Sequence, residues 1–306
     1  MGKLNLPQGK KIAVNLGVDV DAQSIWMGSF NRTSPAFMCR GQFGGEVGMP
    51  RILELFKRKG VKSTFFTPGH TVDTFPAVCK RAVDEGHEIG HHGYYHENPT
   101  YLERDTEKRL IDLSFKTYKN QLGLRPVGYR SPYWDYSANT LDLLEESGFL
   151  YDSSLMARDL VPYRPQRWQV NWEGPNVAGP ASKVLEIPVS WYLDDFPALA
   201  YTGAQEGMSD TDAVLRRWTD IFDYAYKNQP NGTYSMALHP QIIGQAHHMM
   251  MLERLIEHIE GHDGVWFATA EEIANCWEDD DEDRRMMNLP DARGIAPMPS
   301  DYGWPG

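Results

Sequence analysis

The sequence predicts an α/β fold, a distorted (β/α) barrel of seven or eight strands in a single domain. Short apolar runs rich in β-branched residues alternate with amphipathic helical patterns along most of the chain. This alternation is typical of βα units around a parallel sheet. A dinucleotide-binding sheet would normally carry a glycine fingerprint after its first strand, and no G-x-G-x-x-G follows Val18. One barrel therefore fits the pattern better than two nucleotide-binding halves.

The predicted strands begin with an apolar run at residues 12–18. Later strands are predicted at residues 63–66, 88–91, 127–130, 149–152, 184–189, 233–239 and 265–269. Helices are predicted between them at residues 50–59, 75–85, 106–122, 139–147, 210–228 and 248–260. Because barrel enzymes carry their catalytic groups at the carboxyl ends of the strands, polar residues at those ends are the first candidates for a site.

Two segments do not follow this alternation of strands and helices. The predicted domain spans residues 1–277. Within it, residues 22–45 form a long connection rich in glycine, serine and aromatic residues, which favours a packed lid-like loop. Residues 278–306 open with six consecutive acidic residues and continue through proline and glycine. This composition predicts a solvated acidic tail or an arm on a neighbouring subunit.

Composition and charge exclude several classes of protein. A content of 41% hydrophobic and 24% charged residues is typical of a globular chain, and no apolar run approaches the roughly 20 residues of a membrane span. The 42 acidic and 30 basic residues give a net charge of -12, which repels nucleic acid and anionic lipid surfaces. The three cysteines lack metal-type spacing, and we find no secretion signal. We therefore expect a cytoplasmic protein without nucleic-acid or membrane partners.

Asp19 and Asp21 lie at the end of the first predicted strand. Residues two apart in a strand point to the same side, so both carboxylates face one space at the carboxyl edge of the sheet. Two close carboxylates repel each other unless a cation or a shared proton compensates, and a metal ion would do so. An ordinary aspartate-rich turn explains this pair alone equally well.

Four of the ten histidines fall within one ten-residue segment: His87, His91, His92 and His96. Two imidazoles and one carboxylate give a three-point metal site with open positions for water and substrate. We choose His92 and His96 as the pair. Their spacing of four would suit a helix face, but Gly90 and Gly93 predict a strand leading into a loop. The helical metalloprotease motif H-E-x-x-H is absent. A hydrogen-bonded structural role is the alternative for any single histidine, and His87, His91 and His70 are the next candidates for the metal.

Two further strand ends carry polar residues. His239 ends the strand predicted at residues 233–239 and precedes a proline; it could protonate a leaving nitrogen, although a lone histidine there is more often structural. Arg130 ends another strand and could hold a carboxylate such as Asp19 ionised and oriented. A structural ion pair is the alternative for Arg130.

Taken together, these motifs resemble the polysaccharide deacetylase superfamily (NodB homology, carbohydrate esterase family 4). The ordered set is Asp19/Asp21, His92/His96, Arg130-Ser-Pro-Tyr133, Asp152 and Leu238-His239, spread over about residues 12–270. Further segments are similar to the intracellular branch that contains Helicobacter-type peptidoglycan deacetylases and bacterial cyclic imide hydrolases. The first motif departs from the usual Asp-Asp-Gly, and the long connection that follows it argues against an open polysaccharide groove.

The resemblance implies a barrel with three metal ligands: Asp21, His92 and His96. It implies Asp19 as general base and His239 as general acid, with Arg130 orienting Asp19 and the backbone N–H of Tyr133 facing the oxyanion. The cofactor would be one divalent ion, with zinc first and iron, cobalt, manganese or nickel as alternatives. A homo-oligomer is also implied.

These features predict a metal-dependent hydrolase of non-peptide amide bonds that acts on a small molecule, with a cyclic imide or ring amide ranked first. Trp134, Trp191 and Glu46 are candidates for lining its pocket. An N-acetylglucosamine deacetylase acting on peptidoglycan is the alternative. A catalytically silent carbohydrate-binding barrel ranks last, because Asp19 and the other reactive residues are all present.

Overall fold

A curled parallel sheet forms the centre of the computed structural model, which describes residues 2–203 and 207–289. The strands in chain order are β1 Lys3–Leu4, β2 Ile12–Asp19, β3 Thr64–Thr67, β4 Glu88–His91, β5 Gly128–Tyr129, β6 Tyr151–Asp152, β7 Gln166–Gln169, β8 Val177–Ala181, β9 Leu185–Glu186, β10 Gly232–Leu238, β11 Val265–Phe267 and β12 Trp277–Glu278. Seven strands follow one another in the order β10-β2-β3-β4-β5-β6-β9, and β11 also pairs with β2. The predicted distorted barrel is thus confirmed as a parallel half-barrel.

Long crossover connections join the parallel strands, and most of them contain helices, whereas β6 is connected to β9 through the antiparallel pair β7–β8. The helices are α1 Pro35–Phe43, α2 Met49–Lys59, α3 Gly69–Thr74, α4 Pro76–Asp84, α5 Arg104–Leu122, α6 Thr140–Glu146, α7 Asp195–Leu199, α8 Thr211–Asn228, α9 Pro240–Ile243, α10 Ala246–Glu260, α11 Ala270–Asn275 and α12 Asp281–Met287. Every residue of β2 and of β10 is buried, as expected for strands enclosed on both faces. A single parallel bridge between Asp194 and Ala237 links the segment after β9 to β10 at the other edge of the curl.

The connection predicted as a loop at residues 22–45 is helical instead. A wide π-type turn at Ile25–Ser29 is followed by α1, and a second π-type turn at Gly44–Gly48 leads directly into α2. Three glycines of the second turn allow this packing, since Gly48 approaches the backbone of Pro240 so closely that a Cβ would lie 2.1 Å from its carbonyl oxygen. The turn at Gly44–Gly48 therefore packs against the rim of the barrel above β10.

The segment predicted as an acidic tail begins with ordered structure. β12 pairs with β1, and α12 follows with a capping box between Asp280 and Asp283. Arg164 forms an ion pair with Asp279 at 2.8 Å. Local caps and the ion pair with Arg164 thus hold the acidic run in place, which composition alone does not reveal. Residues 290–306 of the predicted tail lie outside the described residues. Across residues 2–203 and 207–289, no helix is both long and apolar enough to cross a membrane.

Candidate metal centre and active site

The carboxyl ends of neighbouring strands bring the predicted polar residues to one edge of the sheet. Asp19 ends β2, His92 follows β4, Arg130 follows β5 and His239 follows β10. Because these strands are parallel and adjacent, side chains far apart in the sequence meet above the same barrel opening.

Asp21, His92 and His96 form a buried cluster at this edge. Oδ1 of Asp21 lies 3.4 Å from Nε2 of His92 and 3.5 Å from Nε2 of His96. Ligands at the usual zinc distances of about 2.0–2.2 Å in a tetrahedral arrangement are roughly 3.4 Å apart. The two distances from Asp21 therefore match those between ligands of one divalent ion, and all three atoms lie within 4.8 Å of one another.

Two buried atoms of this cluster lack hydrogen-bond partners among the described residues: Oδ1 of Asp21 and Nε2 of His92. The Nδ1 of His92 lies 2.7 Å from the carbonyl oxygen of Arg130, which can only accept a hydrogen bond, so its Nε2 carries the free lone pair. Buried polar atoms are almost always satisfied in proteins. A cation between these two atoms would satisfy both.

Asp21 is held in the ionised state that a ligand needs. Burial disfavours its charge, but His96, His92 and His239 outweigh burial and lower the pKa of Asp21 to about 2. Its other oxygen, Oδ2, accepts a hydrogen bond from Nε2 of Gln241 at 3.3 Å.

Asp19 sits beside the cluster with one oxygen occupied and the other turned toward it. Nη1 of the fully buried Arg130 donates to Oδ1 of Asp19 at 2.6 Å, while Oδ2 of Asp19 lies 4.0 Å from Nε2 of His92. Arg130 is itself fixed, because its Nε and Nη2 donate to the carbonyl and hydroxyl oxygens of Ser153. The arrangement leaves one carboxylate oxygen of Asp19 aimed at the metal site.

A second buried pair supports the segment that holds Arg130. Asp152 and Glu186 lie at the adjacent ends of β6 and β9, and Glu186 accepts the backbone N–H groups of Ser154 and Leu155 at 2.8 and 2.9 Å. Burial raises the pKa of Glu186 well above its usual range, and the neighbouring Asp152 raises it further. The motif residue Asp152 accepts a hydrogen bond from Oγ of Ser154 at 2.7 Å and does not belong to the Asp21, His92 and His96 cluster.

His239 faces the cluster from the opposite side and is paired with Asp195. Its Nδ1 donates to Oδ1 of Asp195 at 2.6 Å, and its Nε2 lies 3.6 Å from Oδ2 of Asp21. Burial alone would lower the pKa of His239, but Asp195 and Asp194 outweigh it and raise the pKa well above its usual value. A histidine that carries a proton at neutral pH suits a general acid.

Sequence reasoning assigned no role to Asp195 or to Ser29, the hydroxyl that contacts His96. Nδ1 of His96 lies 2.5 Å from Oγ of Ser29, and that hydroxyl donates to the carbonyl of His96 at 3.1 Å. Gly28 permits this approach, since a Cβ there would lie 2.1 Å from the carbonyl oxygen of Tyr95. An aspartate pair after a strand is a signal that could have indicated Asp195, whereas nothing local marks Ser29.

The pocket above these residues has a volume of about 130 Å³ and a largely aromatic wall. Its lining residues are Asp19, Ile25, Ser29, Phe30, His92, His96, Tyr133, Trp134, Trp191, Asp194, Phe196 and His239. The rings of Trp134 and Trp191 contact each other with centroids 4.3 Å apart and their planes tilted by 33°. Tyr133 has a left-handed backbone with φ of 62°, and its hydroxyl donates to the carbonyl of Ser29, which ties the helical segment to this turn. The orientation of its N–H toward an oxyanion stays a prediction.

The prediction that Glu46 lines the pocket is wrong. Glu46 is exposed on the helix and accepts a hydrogen bond from Gln42, and it is not among the described residues that line the pocket. Because Gly44, Gly45 and Gly48 form the face that packs on the barrel, the glutamate between them points to the opposite side.

Comparison with known proteins places the chain in a family. It is 38% identical to the peptidoglycan deacetylase of Helicobacter pylori over 281 residues, which make up 87% of this chain and 96% of that protein. The chain belongs to the polysaccharide deacetylase family. The family model described as polysaccharide deacetylase matches residues 42–151.

Solved structures agree with this deacetylase assignment. A crystal structure from Mycobacterium smegmatis assigned to the polysaccharide deacetylases superposes with a TM-score of 0.80 at 29% identity, covering 97% of this chain and 99% of that one. PuuE allantoinase superposes with a TM-score of 0.72 at 24% identity, covering 90% and 92%, which is a likeness of fold alone. The protein is thus a hydrolase of carbon–nitrogen bonds whose buried Asp/His/His cluster fits a divalent metal.

The Ser29 contact predicts that the protein binds a divalent metal less tightly when the hydroxyl is removed. Ser29→Ala should lower metal affinity by roughly 10–100-fold, since the hydroxyl fixes the tautomer and ring orientation of His96. A chelator-competition titration would measure the change. Ser34→Ala is the matched control, because Ser34 lies in the same segment and its side chain caps no helix. Equal affinities for the Ser29 variant and the parent would contradict the role.

The other candidate histidines lie away from the cluster. His91 is buried among the rings of Phe115, Tyr118, Tyr129 and Phe149, all within 5.6 Å. Its Nδ1 accepts a hydrogen bond from the N–H of Gly93 at 3.2 Å. His87 packs on Phe56 and Phe65, and His70 lies near Ser24 and Thr74. Their placement matches the structural role that the sequence left open.

His91 predicts a pH-dependent contribution to stability. Burial lowers its pKa from 6.5 to about 3, so folding keeps it neutral while the unfolded chain takes up a proton below pH 6.5. The contribution of the neutral His91 to the free energy of unfolding is fully present above pH 6.5. It is lost as the pH falls toward 3, by up to about 1.4 kcal/mol per pH unit. His91→Phe should be less stable at pH 8, because Gly93 loses an acceptor, and the gap to the parent should narrow on acidification. Chemical unfolding between pH 8 and 4 would measure it, and a constant gap would contradict the assignment.

Proposed function

We propose that the protein removes the acetyl group from an N-acetylated amino sugar of peptidoglycan or its fragments, with zinc as its metal. The observation that carries amide hydrolysis is that His92 and His96 of the metal-ligand cluster line one pocket together with Asp19 and His239. Arg130 holds Asp19 and Asp195 holds His239 from behind the pocket wall. The substrate class is supported by the 38% identity to a peptidoglycan deacetylase along 96% of its length.

Asp19 and His239 transfer protons from opposite sides of the pocket. A divalent ion held by Asp21, His92 and His96 would polarise the substrate carbonyl and would lower the pKa of the attacking water to roughly 7. Asp19, held by Arg130, takes a proton from the attacking water through Oδ2. His239, held by Asp195, donates a proton from Nε2 to the nitrogen as the carbon–nitrogen bond breaks, because an amide anion is a poor leaving group. The products are acetate and an amine.

A small ring amide or cyclic imide is the second candidate, and the pocket favours it. The volume of about 130 Å³ is below the roughly 300–1,000 Å³ of typical sites for drug-sized ligands. Ile25, Phe30 and Phe196 add apolar surface that suits a compact ring as well as an acetyl methyl group. The sequence features favour this substrate, whereas the similarity to a peptidoglycan deacetylase favours the N-acetylated amino sugar.

A substrate panel on one zinc-loaded preparation separates the two candidates. We expect acetate release from N-acetylglucosamine oligomers or peptidoglycan fragments, with His239→Ala as the background control. Values of kcat/KM are compared with those for opening of succinimide, hydantoin and dihydrouracil rings. Efficient ring opening without acetate release would replace the proposed substrate by the second candidate.

A further inference from the structure

A second cluster of metal-binding side chains lies on the outer helices, away from the pocket. Asp223 belongs to α8, His258 belongs to α10, and His262 follows the end of α10. One ligand-type atom from each lies within 4.8 Å of the others. The proposed function uses none of these residues.

The chain geometry points both imidazoles at the same carboxylate. His262 lies two residues beyond the end of α10, and its ring centroid is 5.1 Å from that of His258 on the last turn of the helix. Nε2 of His258 lies 2.6 Å from Oδ1 of Asp223, and Nε2 of His262 lies 3.8 Å from the same oxygen. Because α8 packs against α10, the three side chains bridge two helices.

His262 is oriented as a metal-ligating histidine usually is. Its Nδ1 lies 2.9 Å from the backbone carbonyl of His258, which can only accept a hydrogen bond. The proton is therefore on Nδ1, and Nε2 carries a lone pair directed toward Asp223. The ring also packs on Phe222 and Tyr226 at centroid distances of 5.1 and 4.8 Å, which restricts its rotation.

We propose that Asp223, His258 and His262 bind a second divalent ion of the zinc type, which clamps α8 to α10. Tetrahedral zinc ligands are roughly 3.4 Å apart, so the closer histidine must move out and the farther one in, each by less than 1 Å. The side chains are 49%, 34% and 27% exposed, which permits that adjustment and leaves an open position for water. In the absence of the ion, the hydrogen bond between His258 and Asp223 holds the site together.

Binding at this cluster stabilises the fold without entering the reaction. An ion that binds the folded state alone raises stability in proportion to the logarithm of its concentration above Kd. The clamp joins α10 to α8, and α8 packs against β10, the strand that His239 follows. The ion should therefore raise Tm while leaving kcat unchanged.

The test is a zinc titration of protein that already holds one equivalent in its pocket site. Isothermal calorimetry should show a second equivalent for the parent, and Tm should rise with excess zinc. His262→Gln and Asp223→Asn should bind one equivalent and lose the rise in Tm, whereas His247→Gln, which alters an exposed histidine of the same helix, should still bind two. The proposal is overturned if the parent binds one equivalent only, or if His262→Gln and Asp223→Asn still bind two. Neither result bears on the pocket site, since its equivalent is loaded and counted beforehand.

Discussion

Replacing His92 and His96 together by alanine should remove both the pocket metal and the activity. The two imidazoles supply two of the three ligand atoms, and their loss leaves His239 to lower the pKa of the buried Asp21. Weakening the charge interactions of a buried carboxylate is destabilising, so the variant should also unfold at a lower temperature. Elemental analysis of the purified protein, calibrated against the parent, measures the metal.

His247→Ala is the matched control for this variant, because His247 is exposed and distant from the cluster in sequence. It should retain metal, activity and Tm. Full pocket occupancy in the double variant would refute the ligand assignment and return His87, His91 and His70 to consideration.

Asp19→Asn should keep the metal and lose most of the rate. The asparagine can still accept the hydrogen bond from Arg130 through its amide oxygen, but it cannot take a proton from water. We expect kcat to fall by roughly 10²–10⁴-fold, the usual contribution of a positioned base. Activity and metal content are measured on the same preparation.

The metal content of Asp19→Asn also distinguishes the two aspartates. Only Asp21 places an oxygen within 3.5 Å of both imidazole nitrogens, whereas Oδ2 of Asp19 lies 4.0 Å from Nε2 of His92. If Asp19→Asn loses its metal and Asp21→Asn keeps it, the roles of ligand and base are exchanged.

Strand periodicity explains why much of the site was predictable. Asp19 and Asp21 share a side because they are two residues apart at the end of β2, and the adjacent His91 and His92 point to opposite sides for the same reason. One of these two histidines enters an aromatic cluster and the other enters the pocket. Choosing His92 therefore required only the rule that catalytic groups lie at the carboxyl ends of strands.

The parts that sequence reasoning missed depend on contacts between distant segments. Ser29 reaches His96 only because it ends the π-type turn at Ile25–Ser29, whereas the glycine and aromatic content of residues 22–45 suggests a loop. Asp195 reaches His239 only because the segment after β9 returns to β10. Glu46 shows the reverse, since a motif residue that looks functional in the sequence lies on the exposed face of that helix.

Anomalous X-ray diffraction at the zinc edge would show directly whether Asp21, His92 and His96 bind the metal. We expect a peak within about 2.3 Å of Oδ1 of Asp21, Nε2 of His92 and Nε2 of His96, with Asp19 and His239 outside the coordination sphere. A pocket peak held instead by Asp194, Asp195 and His239, the other buried group of ligand-type atoms, would contradict it.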